Sequence, residues 1–192
     1  MSSVIFRSPS LFKAAMRVWP PYWGTGIAVE EVDPQWRSAT VRMRQRFYNA
    51  NAFGSHFGGS LYAMCDPHYA LLLIPLLGRG YVIWDKAASI EFLKPARGTV
   101  TAVFDWSDAQ LEEIREKTAG GEKFEPRRTL EIRDAAGEAV ARVLKTLYVR
   151  RRERTHPAPD TPQPLVLSGS HNRASMTNTS GSARVDGSRG DI

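Results

Sequence analysis

The sequence is poor in the residues that covalent cross-links and metal sites require. It contains a single cysteine, Cys65, so an internal disulfide is impossible, which is typical of proteins in a reducing compartment. The four histidines do not have the spacing of metal ligands. We therefore expect a cytoplasmic protein with no metal site and no cofactor.

Long hydrophobic runs are also missing. The longest apolar run, 70–77, contains Pro75 and is far shorter than the roughly 20 apolar residues that cross a membrane. Arg7, Lys13 and Arg17 interrupt the apolar residues near the N-terminus, unlike the uncharged core of a signal peptide. The sequence thus predicts no membrane segment and no membrane partner.

Positive charge is in modest excess. The formal net charge is +6, and part of it comes from the arginine-rich run 150–154. Such a balance suits a phosphate-bearing small molecule, nucleic acid or an anionic surface. Because the sequence has no recognition-helix pattern, zinc spacing or interleaving of aromatic and basic residues, we expect no nucleic-acid partner.

Composition divides the chain near residue 154. The large apolar residues are concentrated before about residue 150, whereas the segment after 154 is rich in proline and small polar residues. A segment of the second kind cannot bury enough apolar surface to offset its ordering entropy. We predict one domain over 1–154 and a disordered low-complexity tail over 155–192.

Hydrophobic periodicity predicts one central helix within a sheet. A short amphipathic helix is expected over 9–19, with Ser10 as its cap and Leu11, Ala15 and Val18 on one face. The stretch 59–77 is too long for one strand and apolar on most sides, which indicates a buried helix. Strands are expected over 26–32, 41–47, 81–93, 100–106, 124–133 and 138–150, with a helix over 107–117. This order predicts an α+β architecture in which an antiparallel sheet wraps around one long helix.

One motif points to a known family. The segment 51–59 (NAFGSHFGG) is followed by Asp66 seven residues after Gly59, and 90–98 (IEFLKPARG) comes later. Together they resemble the active-site motif and third-strand ending of hotdog-fold thioesterases of the phenylacetate-degradation (PaaI) type. They are also similar to the uncharacterised group called DUF4442. The resemblance covers roughly residues 25–150.

The resemblance implies an acyl-CoA thioesterase, which hydrolyses its substrate to a free acid and coenzyme A, and which assembles as a homodimer or homotetramer. In that family a backbone amide at the start of the central helix polarises the thioester carbonyl. A carboxylate on the partner subunit's helix acts as base or nucleophile. Carried over, Asn51 matches the loop asparagine, Gly58 and Gly59 match the helix-start glycines, and Asp66 matches the acid. The chain departs from the family at Phe57, where a histidine is usual.

Each candidate residue also has a purely structural interpretation. Amides at Gly58 and Gly59 can form an oxyanion site, or the glycines can serve a tight turn. Asp66 can be a base, or it can cap a helix that begins at Pro67. His56 can donate to the thioester or be a hydrogen-bonded loop residue.

Further residues are candidates for substrate binding or for other reactions. Asn51 can orient water or form a turn. Phe92, Lys94 and Arg97, with Asp85 at a position where the family often has serine or threonine, are expected to contact substrate. Two rival functions remain: a hydratase or dehydratase acting on acyl thioesters, and a non-catalytic module that binds acyl-CoA or lipid.

Overall fold

The computed structural model of the chain describes residues 4–152. The tail predicted for 155–192 lies outside the described residues. Its boundary at 154 stays a prediction.

Within residues 4–152, seven antiparallel strands form one sheet. They are β1 (Ile27–Val32), β2 (Ser38–Arg44), β3 (Tyr81–Phe92), β4 (Thr99–Asp105), β5 (Lys123–Phe124), β6 (Arg127–Asp134) and β7 (Ala139–Arg151). The order across the sheet is β1-β2-β4-β6-β7-β3, with β5 paired to β7 off this path. The helices are α1 (Pro9–Arg17), α2 (Pro20–Trp23), α3 (Gly58–Ala63), α4 (His68–Leu77) and α5 (Asp108–Lys117). This confirms the predicted α+β architecture.

The core lies between one face of the sheet and the central helical segment 58–77. Alternate residues of the inner strands are fully buried, as Val41 and Met43 show in β2. On the helical side, Leu61, Met64 and Leu72 are buried. An apolar helix enclosed by a twisted sheet buries its surface without a second layer of helices.

The central segment is two helices rather than one. α3 ends at Ala63 and α4 begins at His68. Pro67 has no N–H and therefore cannot continue the hydrogen-bond ladder to Ala63. The stretch Gly58–Leu77 is long and apolar enough to cross a membrane, although half of it is buried inside the protein. That burial is typical of a core helix.

Two details of the predicted elements are wrong. Ser8, not Ser10, caps α1 by accepting a hydrogen bond from the Leu11 amide. The buried face of α1 carries Phe12 and Met16, whereas the predicted face is exposed at Leu11. Tertiary packing chooses this face, because the Phe12 ring contacts the rings of Phe6 and Trp36.

The second strand is shifted toward the N-terminus. It runs over Ser38–Arg44 rather than 41–47, and Phe47 is 93% exposed. The chain leaves the sheet because Asn49 closes a turn. The side-chain Oδ1 of Asn49 accepts a hydrogen bond of 2.6 Å from the Arg46 backbone amide, and the backbone amide of Asn49 donates to the Arg46 carbonyl.

The two edges of the sheet differ. β1, at one edge, has six residues, carries Glu30 and Glu31, and has an irregular register between Val29 and Glu31. β3, at the other edge, has twelve residues and is half-exposed or exposed throughout. Long edge strands with open backbone groups are sites of strand addition, whereas charges and bulges discourage it.

Candidate functional site

Asn51 organises the loop before the central helix. Its Oδ1 accepts from the amides of Phe53 (2.9 Å) and Ser55 (3.1 Å), and its Nδ2 donates to the His56 carbonyl (3.1 Å). These bonds use the side-chain amide locally, as in an Asx turn. Its position in the structure is therefore that of a loop organiser that fixes the approach to α3.

His56 is buried beneath this loop. Its Nε2 lies 2.9 Å from the Gly98 carbonyl oxygen, and only 2% of the residue is exposed. Burial lowers its pKa, with the Gly98 carbonyl opposing that effect. Because a carbonyl can only accept, Nε2 carries the proton and the ring ties the loop to the β3–β4 connection.

The glycines at the start of α3 leave its first amides accessible. The N–H groups at the first positions of a helix have no acceptor within it, so Gly58 and Gly59 can bind an external oxygen. Space is tight here: a Cβ at Gly58 would lie 2.8 Å from the Phe92 ring, and one at Gly59 2.4 Å from the Phe57 ring. Glycine is therefore required for the two aromatic rings to flank these amides.

An open, mainly apolar cavity of about 650 Å³ is lined by Gly58, the first of these two glycines. Phe53, Phe57 and Phe92 contribute rings to its wall, and Gly58 and Leu61 form part of its floor. Ligand sites are commonly concave, apolar and furnished with a few polar groups. The structure thus brings the predicted residues Asn51, His56, Gly58 and Phe92 to one cavity.

Asp66 lies farther along the helical segment, at the interruption between α3 and α4. Its carboxylate accepts a hydrogen bond of 2.8 Å from the Tyr62 hydroxyl and is 46% exposed. α4 begins without a side-chain cap, so Asp66 does not serve as one. At about 1.5 Å per helical residue, Asp66 is roughly 10 Å from Gly59 along the segment. One carbonyl cannot easily meet both within one chain.

Lys145 holds Asp66 and Asp85 together. Its side chain on β7 is fully buried, and Nζ lies 3.1 Å from Asp66 and 3.0 Å from Asp85. Burial lowers the pKa of Lys145, but the two carboxylates outweigh it, so this pKa is raised. Burial also raises the pKa of Asp85, against the effect of Lys145.

Sequence reasoning missed Lys145 and Tyr62. Lys145 alternates in phase with Val143 and Leu147, which are both fully buried on the inner face of β7. The sequence did contain a sign of this role: Lys145 is a charged residue at a position of the strand that faces the core. A buried charge of this kind needs a partner of opposite charge. Tyr62 precedes Asp66 by one helical turn, a spacing at which side chains meet.

The predicted substrate-binding cations are engaged with protein groups. Lys94 pairs with Asp134 at 2.9 Å, an interaction that lowers the pKa of that carboxyl group. Arg97 donates to the Gly54 carbonyl at 2.6 Å and to that of Phe53 at 3.4 Å. Lys94 thus ties the β3–β4 connection to the end of β6, and Arg97 ties it to the loop before α3.

A second buried polar pair joins α2 to the start of α4. The Tyr22 hydroxyl lies 2.8 Å from Nε2 of His68, and His68 is fully buried against the Phe104 ring. Cys65 is buried as well, and burial raises the pKa of its thiol. A neutral thiol is a poor nucleophile, so its position indicates packing. Within 4–152, no group of three metal-ligating side chains occurs.

The family model for the domain of unknown function DUF4442 matches residues 8–149. No protein of curated function matches significantly. Protein PA5026 of Pseudomonas aeruginosa, of unknown function and described as a probable thioesterase, has 20% identity and a TM-score of 0.60, over 67% of this chain and 85% of that one.

Two further solved structures share the fold. The thioesterase HI1161 of Haemophilus influenzae has 16% identity and a TM-score of 0.56, over 77% of this chain and 94% of that one. The PaaI protein of the phenylacetic acid degradation operon of E. coli has 19% identity and a TM-score of 0.50, over 73% and 89%. Matches at this identity establish the hotdog fold. The chain therefore belongs to the DUF4442 family and has the hotdog fold that the sequence predicted.

Proposed function

We propose that the protein is an acyl-CoA thioesterase, which hydrolyses an acyl-CoA to a free acid and coenzyme A. The observation that carries this proposal is Asp66, a carboxylate that is 46% exposed on an otherwise apolar helical segment. It caps no helix, yet Tyr62 and Lys145 fix its position. A carboxylate held in this way is suited to act as base or nucleophile.

The reaction needs a polarised carbonyl as well as this carboxylate. The amides of Gly58 and Gly59 offer two donors to the oxygen that becomes negatively charged in the transition state. Asp66 then either takes a proton from the attacking water or attacks the carbonyl carbon itself. When Asp66 is the base, water attacks the carbonyl carbon, the C–S bond breaks, and the proton taken up by Asp66 passes to the leaving coenzyme A thiolate. When Asp66 is the nucleophile, the C–S bond breaks to give a mixed anhydride of Asp66, and the thiolate takes a proton from solvent. Water then hydrolyses the anhydride, which releases the free acid and restores the Asp66 carboxylate.

The separation of roughly 10 Å between Gly59 and Asp66 favours a site shared by two copies of the chain. We infer a homodimer in which the amides of one copy face Asp66 of the other. The long, open edge of β3 supports this arrangement, because a second β3 could pair with it about a twofold axis. Assembly of two such dimers into a tetramer stays a prediction.

The acyl group would occupy the apolar cavity. Its lining rings Phe53, Phe57 and Phe92 are all more than half exposed, so they are available to contact a ligand. The solved structures described as thioesterases on the same fold support this reaction class. The cytoplasmic location stays a prediction.

The test measures thiol release from a panel of acyl-CoAs with a thiol-reactive dye. Wild type, Asp66→Asn and a matched control, Asp108→Asn, are compared. Asp108 is 89% exposed on α5, so its replacement should leave turnover unchanged. We expect turnover in wild type and the control, and a loss of at least about 100-fold in Asp66→Asn.

Other outcomes would redirect the assignment. Full activity in Asp66→Asn would remove that residue from the mechanism. A folded wild type that releases no thiol, but hydrates an enoyl-CoA, would be a hydratase. Tight binding of acyl-CoA without any product would indicate a binding module.

A further inference from the structure

Lys145 is a fully buried ammonium group on the buried face of β7. Its neighbours on the same face, Val143 and Leu147, are fully buried and apolar. A buried ion pair gives no general advantage in stability, since apolar residues of similar volume often replace one without loss. The charge at position 145 therefore calls for an explanation beyond packing.

The geometry of its partners supplies one. A single nitrogen lies within 3.1 Å of both Asp66 and Asp85. Without a cation, two carboxylates this close would resist being ionised together, and one would hold a proton. Lys145 balances one negative charge, so the cluster of three carries one net negative charge, and the exposed carboxylate belongs to Asp66.

Tyr62, Cys65 and His68 interact electrostatically with the cluster. The Tyr62 ring lies 5.4 Å from Nζ, and its hydroxyl donates to Asp66. Burial raises the pKa values of Tyr62 and Cys65 and lowers that of His68, so none of the three adds charge near neutral pH. Asp66 affects the pKa values of Tyr22, Tyr62, Cys65, His68, Asp85 and Lys145.

We propose that Lys145 is a positioning residue of the hydrolytic site, which keeps Asp66 ionised and oriented, while Asp85 prevents Lys145 from neutralising Asp66 completely. The proposal rests on the proposed function, and it assigns separate roles to the two partners. Lys145 maintains the charge on Asp66, and Asp85 maintains its reactivity.

The two roles predict opposite shifts in the pH profile of kcat/KM. In Lys145→Met the two carboxylates share one proton, so the acidic limb should move up by about one pH unit or more. In Asp85→Asn, Lys145 pairs with Asp66 alone. The limb should then move down, and the plateau should fall because a better-stabilised carboxylate is a weaker base. The double variant removes both effects, and its limb should lie between those of the single variants.

Lys86→Met is the matched control. Lys86 lies next to Asp85 on β3 and also pairs with a carboxylate, Glu125, but its side chain is 45% exposed. Its profile should match wild type. A purely structural role for Lys145 would lower activity at all pH values without moving the limb. Unmoved limbs, or shifts in the same direction for both single variants, would overturn the proposal.

A second measurement separates this inference from the thioesterase assignment. Carbon-13 NMR of aspartate carboxyl carbons needs no substrate. In Lys145→Met, the Asp66–Asp85 pair should take up one proton at higher pH than in wild type. If wild type is inactive but Lys145→Met shows this shift, the proposed function is overturned and the charge role of Lys145 is supported. If wild type is active but Lys145→Met shows no shift, the charge role alone is overturned. If Lys145→Met fails to fold, the isosteric Asp85→Asn variant still tests the downward shift.

Discussion

The buried pair of Tyr22 and His68 makes the stability of this fold sensitive to acid. Burial lowers the pKa of His68 to about 3, with Asp66 opposing and Lys145 adding to that effect. In the unfolded chain the imidazole has its ordinary pKa of about 6.5. Between these two values only the unfolded chain binds the proton. The free energy of unfolding therefore falls as the pH drops through this window.

The size of this effect follows from the width of the window. Each pH unit within it removes about 1.4 kcal/mol of stability per site, so a drop from pH 6.5 to pH 4.5 should cost about 2–3 kcal/mol through His68. Replacing both partners by apolar residues, Tyr22→Phe with His68→Leu, abolishes the titration and leaves no buried polar group unpaired. This double variant should lie within about 1 kcal/mol of wild type at pH 7.5. It should be about 2–3 kcal/mol more stable than wild type at pH 4.5.

Urea unfolding followed by circular dichroism at both pH values gives these differences. His56, whose pKa burial also lowers, is present in both proteins, so its contribution cancels in the comparison. Tyr22→Phe alone is the control. It leaves Nε2 of His68 without its phenol partner, costs about 1–3 kcal/mol and retains the acid sensitivity. If the difference between wild type and the double variant were equal at pH 7.5 and pH 4.5, burial of a neutral His68 would be refuted.

Three further predictions concern the site. Asn51→Ala should destabilise the protein by about 1–3 kcal/mol in urea unfolding, because the amides of Phe53 and Ser55 lose their acceptor; an unchanged midpoint would contradict this. Gly58→Ala should raise KM with little change in melting temperature, because the new Cβ displaces the half-exposed Phe92 ring. Adding Phe92→Leu should restore KM. A large loss of stability in Gly58→Ala would show instead that the ring cannot move. If Asp66 is the nucleophile and water then attacks the aspartyl carbonyl of the anhydride, a single turnover in ¹⁸O-water should leave the label in Asp66, as peptide mass spectrometry would detect. Label in the acid alone would contradict this and show that water attacks the acyl carbon.

The sequence was sufficient to predict the architecture and most element positions. Alternating apolar residues in β2, β4 and β7 and the apolar stretch 59–77 encode which surfaces are buried, and burial dictates the layers. A helix that begins at Pro67 is also predictable, because proline lacks the amide that a continuous helix needs. The buried face of α1 was not predictable from periodicity. It depends on contacts of the Phe12 ring with the rings of Phe6 and Trp36, which both lie outside this helix.

The candidate site was less accessible to sequence reasoning. Asn51, His56, Gly58 and Phe92 were predicted as site residues, and they meet at one cavity. The hydrogen bonds of His56 and Arg97 depend on how the loops fold back, which periodicity does not encode. The role of Lys145 is not predictable from the strand pattern, because its partner Asp66 is 79 positions away in the chain.

The unequal edges of the sheet limit how many copies can associate through strands. If both edges were equally open, each added copy would offer a fresh edge, and the chains could polymerise without end. Here β1 is short, acidic and irregular, so pairing through β3 uses up the favourable edge of each copy. Strand-mediated association would thus terminate as a closed pair. The same asymmetry that would create a shared site would also protect the protein from fibre formation.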